Sequence, residues 1–206
     1  MRLADWFAGL ALLGIATGVS AFAPSSQADS VIKIETAGGH GSGVHIGHGH
    51  VLTAAHVVPS AYKAVDVKTP AGRSTKADVL WINTTYDIAL LKLRSTIGLG
   101  ASELTCRELV KGEAISALGN PGSMDFLTHH GTVSGSGREV PMWKWVVPTD
   151  ITLLPGMSGG PVLDEGGDLV GITVGTLTTH VDRYASWAAV GIVVPSSTIC
   201  DLMART

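Results

Sequence analysis

The sequence predicts an all-β chain: two small antiparallel barrels, six strands each, followed by a short C-terminal helix. Three observations carry that expectation. Glycine is abundant, at 26 of 206 residues, while Phe and Tyr are scarce at 3 each, a balance that favours strands and turns over helices. Apolar residues come in short, alternating, β-branched runs, and turn residues punctuate them. Finally, the runs form two series, separated by a stretch from 94 to about 112 with no strand pattern. The divisions follow: barrel one at about 29–95, a crossing at about 96–112, and barrel two with the helix at about 113–206. A hydrophobic share of 45% is ample for such a core, and a net charge of -3 without any basic block excludes nucleic acid as a partner.

Residues 1–28 read as an export segment rather than as fold. Arg2 gives a positive start, Trp6 to Phe22 is apolar, and Ala21-Phe22-Ala23 or Ser26-Gln27-Ala28 has the form of a cleavage site. The alternative is an uncleaved anchor, the only route by which this chain would engage a membrane, because the stretch approaches the ~17–20 residues that span a bilayer. Either way the folded part, 29–206, is expected outside the cytoplasm, secreted or periplasmic. The first strand series comprises Val31 to Glu35, Ser42 to Ile46, Val51 to Thr53, Ala64 to Lys68, Asp78 to Ile82 and Ile88 to Leu93. The second comprises Ala114 to Leu118, Gly131 to Gly135, Trp143 to Val147, Pro161 to Leu163, Leu169 to Val174 and Ala188 to Val194. Asn120-Pro121-Gly122 and the acidic run Asp164 to Asp168 read as turns. Spacing in the acidic run is wrong for a calcium loop. Pro195 to Met203 reads as the helix, with Ser196 or Ser197 as its cap and Ile199, Leu202 or Met203 as its buried face.

Chemistry concentrates in three short stretches. Ser158 lies in Leu154-Pro-Gly-Met-Ser-Gly-Gly-Pro-Val162, where glycines on both sides permit a tight turn that exposes the hydroxyl as a nucleophile, or simply a bend between strands. His56, in Leu52-Thr-Ala-Ala-His-Val57, is either a base or a satisfied core histidine. Asp87, in Tyr86-Asp-Ile-Ala-Leu-Leu91, is either its carboxylate partner or a turn residue. Their order along the chain, His, Asp, Ser, is that of the chymotrypsin arrangement.

On these blocks the chain resembles trypsin-like serine proteases of the chymotrypsin fold, and is most similar to the protease domain of the bacterial HtrA (DegP-like) branch. Gly41-Ser-Gly-Val44, Ala117-Leu-Gly-Asn-Pro121 and Val190-Gly-Ile-Val-Val-Pro-Ser196 fall in register with them, so the resemblance covers about residues 31 to 200. It implies a serine endopeptidase working through an acyl-enzyme on polypeptide substrates, with no cofactor and no metal. His56 would be the base, Asp87 its orienting carboxylate and Ser158 the nucleophile, and the backbone N–H groups of Gly156 and Ser158 would bind the oxyanion. Digestive members carry an aspartate just before the serine; Met157 stands there and cannot pair with a freed terminal amine, so no such activation is expected. Many HtrA-type chains continue into a peptide-binding PDZ domain, and none is expected in the few residues after the last strand.

The substrate pocket positions that the resemblance implies are Thr152, Thr173, Val174 and Gly191. None is charged, so cleavage after uncharged, small to medium apolar residues is expected. The two cysteines, Cys106 and Cys200, are expected either as a disulfide formed in an oxidising compartment or as two separate buried thiols. In the fold implied, the closing helix can pack near the crossing, which favours the bridge. His40, His45, His48 and His50 form a histidine-rich turn without the spacing of a zinc site. The competing reading of the whole chain is a catalytically silent scaffold of the same fold that only holds peptides.

Overall fold

A computed structural model of the chain describes residues 28–96, 98–177 and 190–205. The export segment expected at 1–28 lies outside the described residues except for Ala28, as do Ala188 and Ala189 of the last expected strand. Among the described residues no helix is long and apolar enough to cross a membrane.

The first half is a closed six-stranded barrel. Its strands are β1 (Val31–Thr36), β2 (Gly39–His45), β3 (His50–Thr53), β4 (Ala64–Lys68), β5 (Ser74–Asn83) and β6 (Ile88–Leu93), hydrogen-bonded in the order β1-β2-β3-β6-β5-β4, with β1 and β4 closing the ring. Alternation in β1 and the near-continuous apolar runs of β3 and β6 supply its filling. Ile32, Ile34, Leu52, Ile88 and Leu91 are fully buried, and each such side chain contributes about 1.5–3 kcal/mol of transfer free energy.

The second half differs from the expected closed barrel. Among the described residues it is a seven-stranded sheet, β8-β7-β11-β12-β13-β10-β9, built from β7 (Ala114–Gly119), β8 (Leu127–Thr132), β9 (Arg138–Val140), β10 (Trp143–Thr149), β11 (Pro161–Asp164), β12 (Leu169–Leu177) and β13 (Val190–Pro195). Where the sequence suggested one strand over Gly131 to Gly135, the chain leaves β7 after Thr132 and pairs again as β9 against β10. Between those two pairings stand the single bridge Val133↔Thr149 and two flanking bonds, Ser134 N–H to Pro148 O at 2.9 Å and Asp150 N–H to Thr132 O at 3.1 Å. Pro148 has no N–H to add a rung, so no continuous ladder closes the sheet here. β8 escaped the sequence reading because Leu127 is its sole large apolar residue; the rest is Thr, His, His, Gly and Thr.

The halves share one core. A single cluster runs from Ile32 and Leu52 in the barrel to Trp143, Val146 and Ile172 in the sheet, and a second lies within the sheet around Ile151, Met157 and Val162. The crossing is stitched to both. Leu104 bridges Leu169, and Cys106 is joined by a disulfide to Cys200 of the helix α1 (Ser196–Met203), with Cα atoms 5.6 Å apart. Ser196 does not cap α1 with its side chain. Its hydroxyl instead donates to Arg107 O at 3.0 Å and accepts from Arg107 N–H at 3.1 Å, so the helix start is spent on anchoring the crossing.

Candidate active site

β3 delivers the chain into a single 3-10 turn, Ala55–Val57, that carries His56. Asp87 ends the turn between β5 and β6, where Asn83 Oδ1 accepts from the backbone N–H groups of Thr85 and Tyr86. Because β3 and β6 are neighbours in the barrel, the two turns lie side by side. The Ala55 N–H donates to Asp87 O at 3.1 Å, the His56 N–H donates to Asp87 Oδ1 at 2.9 Å, and His56 Nδ1 lies 2.7 Å from Asp87 Oδ2. An ionised carboxylate can only accept, so facing it Nδ1 must donate, and in a neutral imidazole that leaves the lone pair on Nε2. The carboxylate side chain is 10% exposed and the imidazole 49%. The indole Nε1–H of Trp143 also donates to Asp87 Oδ2, at 3.0 Å.

Ser158 arrives from the other half, on the loop between β10 and β11. That loop is held from several sides. Ser158 O accepts from Ser42 N–H of β2 at 2.8 Å, Gly159 N–H donates to Thr173 O at 2.7 Å, and the Thr173 hydroxyl donates to Met157 O at 2.7 Å. Gly156 has φ +101°, and a Cβ there would sit 2.3 Å from Asn120 O, so only glycine fits. Both peptides around Gly156 have their carbonyls engaged: Pro155 O accepts from Gly122 N–H at 3.2 Å, and Gly156 O from the Ser42 hydroxyl at 2.7 Å. The N–H groups of Gly156 and Ser158 have no acceptor among the described residues, and neither does the Ser158 hydroxyl.

His56, Asp87 and Ser158 line one cleft of about 970 Å³ between the halves. Thr152 and Val174 line it as well. Thr173 and Gly191 do not. Thr173 is fully buried, with its hydroxyl turned to Met157 O, and Gly191 is packed in β13 against Ile151 O and the Thr149 side chain. A register shift in β12 between Thr173 and Gly175 leaves Val174 as the extra residue, a bulge of the kind that re-aims a side chain beside a site. The histidine-rich turn is taken up structurally at His45, whose Nδ1 lies 2.5 Å from Gly100 O while Nε2 accepts from Gly49 N–H at 3.0 Å.

Three residues of this region carried no role in the sequence reading: Trp143, Ser42 and Asn120. Ser42 and Asn120 stood within the glycine-rich blocks that resemble a family, yet both are fully buried polar side chains. A buried hydroxyl or amide must find partners, which was the available signal. Here the Asn120 amide donates to Ser42 Oγ at 3.0 Å and to Ile32 O at 3.1 Å. Nothing in the sequence pointed to Trp143, since an indole donor is recognisable only once its acceptor is known.

Comparison with known proteins bears on the family and the fold. The model of the trypsin-like peptidase domain matches residues 41–172. A protein of Halomonas elongata named as a probable periplasmic serine endoprotease, DegP-like, is 31% identical over 169 residues, 79% of this chain and 34% of that protein. A protein of the same name from Ectopseudomonas mendocina is 36% identical over 130 residues, 60% of this chain and 26% of that protein. Among solved structures, the HtrA-type protease AlgW with tripeptide superposes with a TM-score of 0.75 at 26% identity, covering 87% of this chain and 60% of that one. The serine endoprotease from Yersinia pestis gives 0.72 at 23% identity over 87% of this chain and 63% of that one, a likeness of fold. The chain spans about a third of the length of the curated relatives it matches.

Proposed function

This chain belongs to the trypsin-like peptidase domain family, and on that premise we propose that it is a serine endopeptidase whose triad is Ser158, His56 and Asp87. The observation that carries the reading is the 2.7 Å bond from His56 Nδ1 to Asp87 in a cleft that Ser158 also lines. It fixes the tautomer a general base needs, with Nε2 free to accept the hydroxyl proton.

In the proposed cycle Ser158 Oγ attacks the scissile carbonyl carbon as its proton passes to His56 Nε2. Charge developing on the carbonyl oxygen is taken by the unengaged N–H groups of Gly156 and Ser158; in comparable sites one such donor contributes about a hundred- to a thousandfold in rate. The imidazolium then protonates the leaving amine, the C–N bond breaks, and an acyl-enzyme remains on Ser158. Water, deprotonated by His56, releases the acid and restores the hydroxyl. The Ser158 hydroxyl and His56 are not yet hydrogen-bonded, and such contacts commonly tighten only when substrate is bound.

Polypeptide substrates are the natural class, since AlgW was solved with a tripeptide and a decapeptide. Among the described residues lining the cleft the one carboxylate is Asp87, and both of its oxygens are already engaged by His56 and Trp143, so none of these residues offers a free counter-charge to Arg or Lys. Cleavage after small to medium apolar residues is the corresponding specificity. The relatives named periplasmic support an exported location, with 1–28 as the leader.

A fluorophosphonate probe with mass mapping tests the reading. Ser158 should be labelled in the wild type and unlabelled in Ser158→Ala, whose turnover should fall about a millionfold. A peptide library should return apolar cleavage sites. An unlabelled wild type would support the silent peptide-holding scaffold instead, and strict preference for Arg or Lys would overturn the specificity.

A further inference from the structure

We propose that Trp143 is a positioning residue of this site, acting on the Asp87 carboxylate through its indole N–H; the inference rests on the proposed triad. Asp87 is 7% exposed and Trp143 6%, so the carboxylate must be satisfied by protein groups. Its Oδ1 accepts the His56 backbone N–H at 2.9 Å, and its Oδ2 accepts both His56 Nδ1–H at 2.7 Å and Trp143 Nε1–H at 3.0 Å. Two donors on Oδ2 use both lone pairs and fix rotation of the carboxylate about its bond to Cβ. With the indole removed, Oδ2 is left with the imidazole alone, and the carboxylate can turn away from it.

The chemistry of the donor matters as much as its place. An indole N–H donates and cannot accept, so it cannot take the proton that His56 carries during turnover. It is also neutral. A lysine or arginine in its place would orient Asp87 equally well but would cancel the negative charge that stabilises the imidazolium. Among the described cleft-lining residues there is no such cation, so Trp143 holds the carboxylate without discharging it.

Its position is built from the half of the molecule that also carries Ser158. Trp143 opens β10 and pairs with Val140, and the next residue donates from Lys144 N–H to Thr85 O at 3.2 Å, reaching the turn that presents Asp87. Gly175, which also lines the cleft, packs close to the ring: a Cβ there would lie 3.3 Å from Trp143 Cη2 and Cζ2, tighter than an ordinary contact. The indole thus ties the histidine–aspartate half to the serine half at the atom where the two must agree.

The test separates the hydrogen bond from ring packing. Trp143→Phe removes the donor and part of the ring. Site-specific replacement of Trp143 by benzothienylalanine, in which sulfur replaces the N–H, keeps the bicyclic shape. Both variants should lose about ten- to hundredfold in kcat, the range for a bond to a charged group, with KM for a short peptide unchanged within about twofold. The downfield proton resonance of His56 Nδ1–H, read without substrate, should move in both. Wild-type kcat and an unmoved resonance in the benzothienylalanine protein would overturn the proposal and leave Trp143 as packing only. That outcome differs from failure of the triad itself, in which the wild type shows neither Ser158 labelling nor an Asp87-bonded Nδ1 proton.

Discussion

Met157 shows how much one side chain decides. It is fully buried among Ile151, Leu153 and Val162, with its N–H bonded to Leu154 O and its carbonyl held by Thr173. The space that an ion pair would need is filled with an apolar side chain, so the loop bearing Ser158 is braced by packing. Met157→Asp is expected to destabilise the chain by about 3–5 kcal/mol, because it buries a carboxylate in the apolar cluster of Ile151, Leu153 and Val162; urea unfolding measures the loss, and an unchanged midpoint would contradict it. Asp87 makes the complementary point. It holds φ 58°, a left-handed conformation that aspartate tolerates better than most residues. The glycines at 156 and 159 were readable as local requirements of a turn, whereas Asp87 and His56 were singled out by the order of their blocks and the resemblance those blocks carry. Trp143's role was not, because it consists of a distance to a residue 56 positions away.

At the scale of elements, the crossing is the instructive case. It has no strand pattern, yet its Arg107 guanidinium donates to both Glu113 carboxylate oxygens and, at 2.8 Å, to Asp164 Oδ2 at the end of β11. The Arg107 bond holds Glu113 below the usual carboxylate range; for Asp164 burial pushes upward, and the bonds from Arg107 and the Asp168 N–H outweigh it to leave a net lowering. Both groups therefore bind protons less readily folded than unfolded. The stability they contribute is fully present above the ordinary values and is lost as pH falls through the lowered ones. Arg107→Met should cost about 1 kcal/mol near neutral pH, a modest figure because the guanidinium is partly exposed, and the gap to wild type should narrow in acid, as pH falls below the ordinary carboxylate range. Denaturant titrations at the two pH values check this; a gap that widens in acid would refute it. β9 and β8 were misread for the opposite reason, their composition being too polar to stand out until β10 and β7 supplied partners.

For the molecule as a whole, what matters is the joint between halves. Ser42 belongs to the barrel, but its hydroxyl donates to Gly156 O and accepts from Asn120 N–H, and its N–H donates to Ser158 O, while the Asn120 side chain reaches back from the sheet half to Ser42 and Ile32 of the barrel. Between the crossing and the helix, the Cys106–Cys200 disulfide joins residues 94 positions apart. In the chain-entropy account such a bridge contributes about 4–5 kcal/mol by restricting the unfolded chain. The thermal midpoint should therefore drop on adding reductant and in Cys106→Ser/Cys200→Ser, and equal midpoints would argue against that contribution. The sequence by itself determined the strand-rich class, the six segments of the first barrel, the two-series layout and the three residues of the proposed triad. The class, the barrel segments and the layout follow from local chemistry: side-chain periodicity, turn residues and glycine's conformational reach; the triad residues rested on the order of their three blocks and on the resemblance those blocks carry. Tertiary structure alone decided that the second sheet has seven strands, that Val174 and not Thr173 faces the cleft, that Ser196 anchors the crossing, and that an indole meets Asp87. Each of those depends on which distant backbone comes to lie alongside, and hydrogen bonds between strangers in the sequence leave no periodic trace in it.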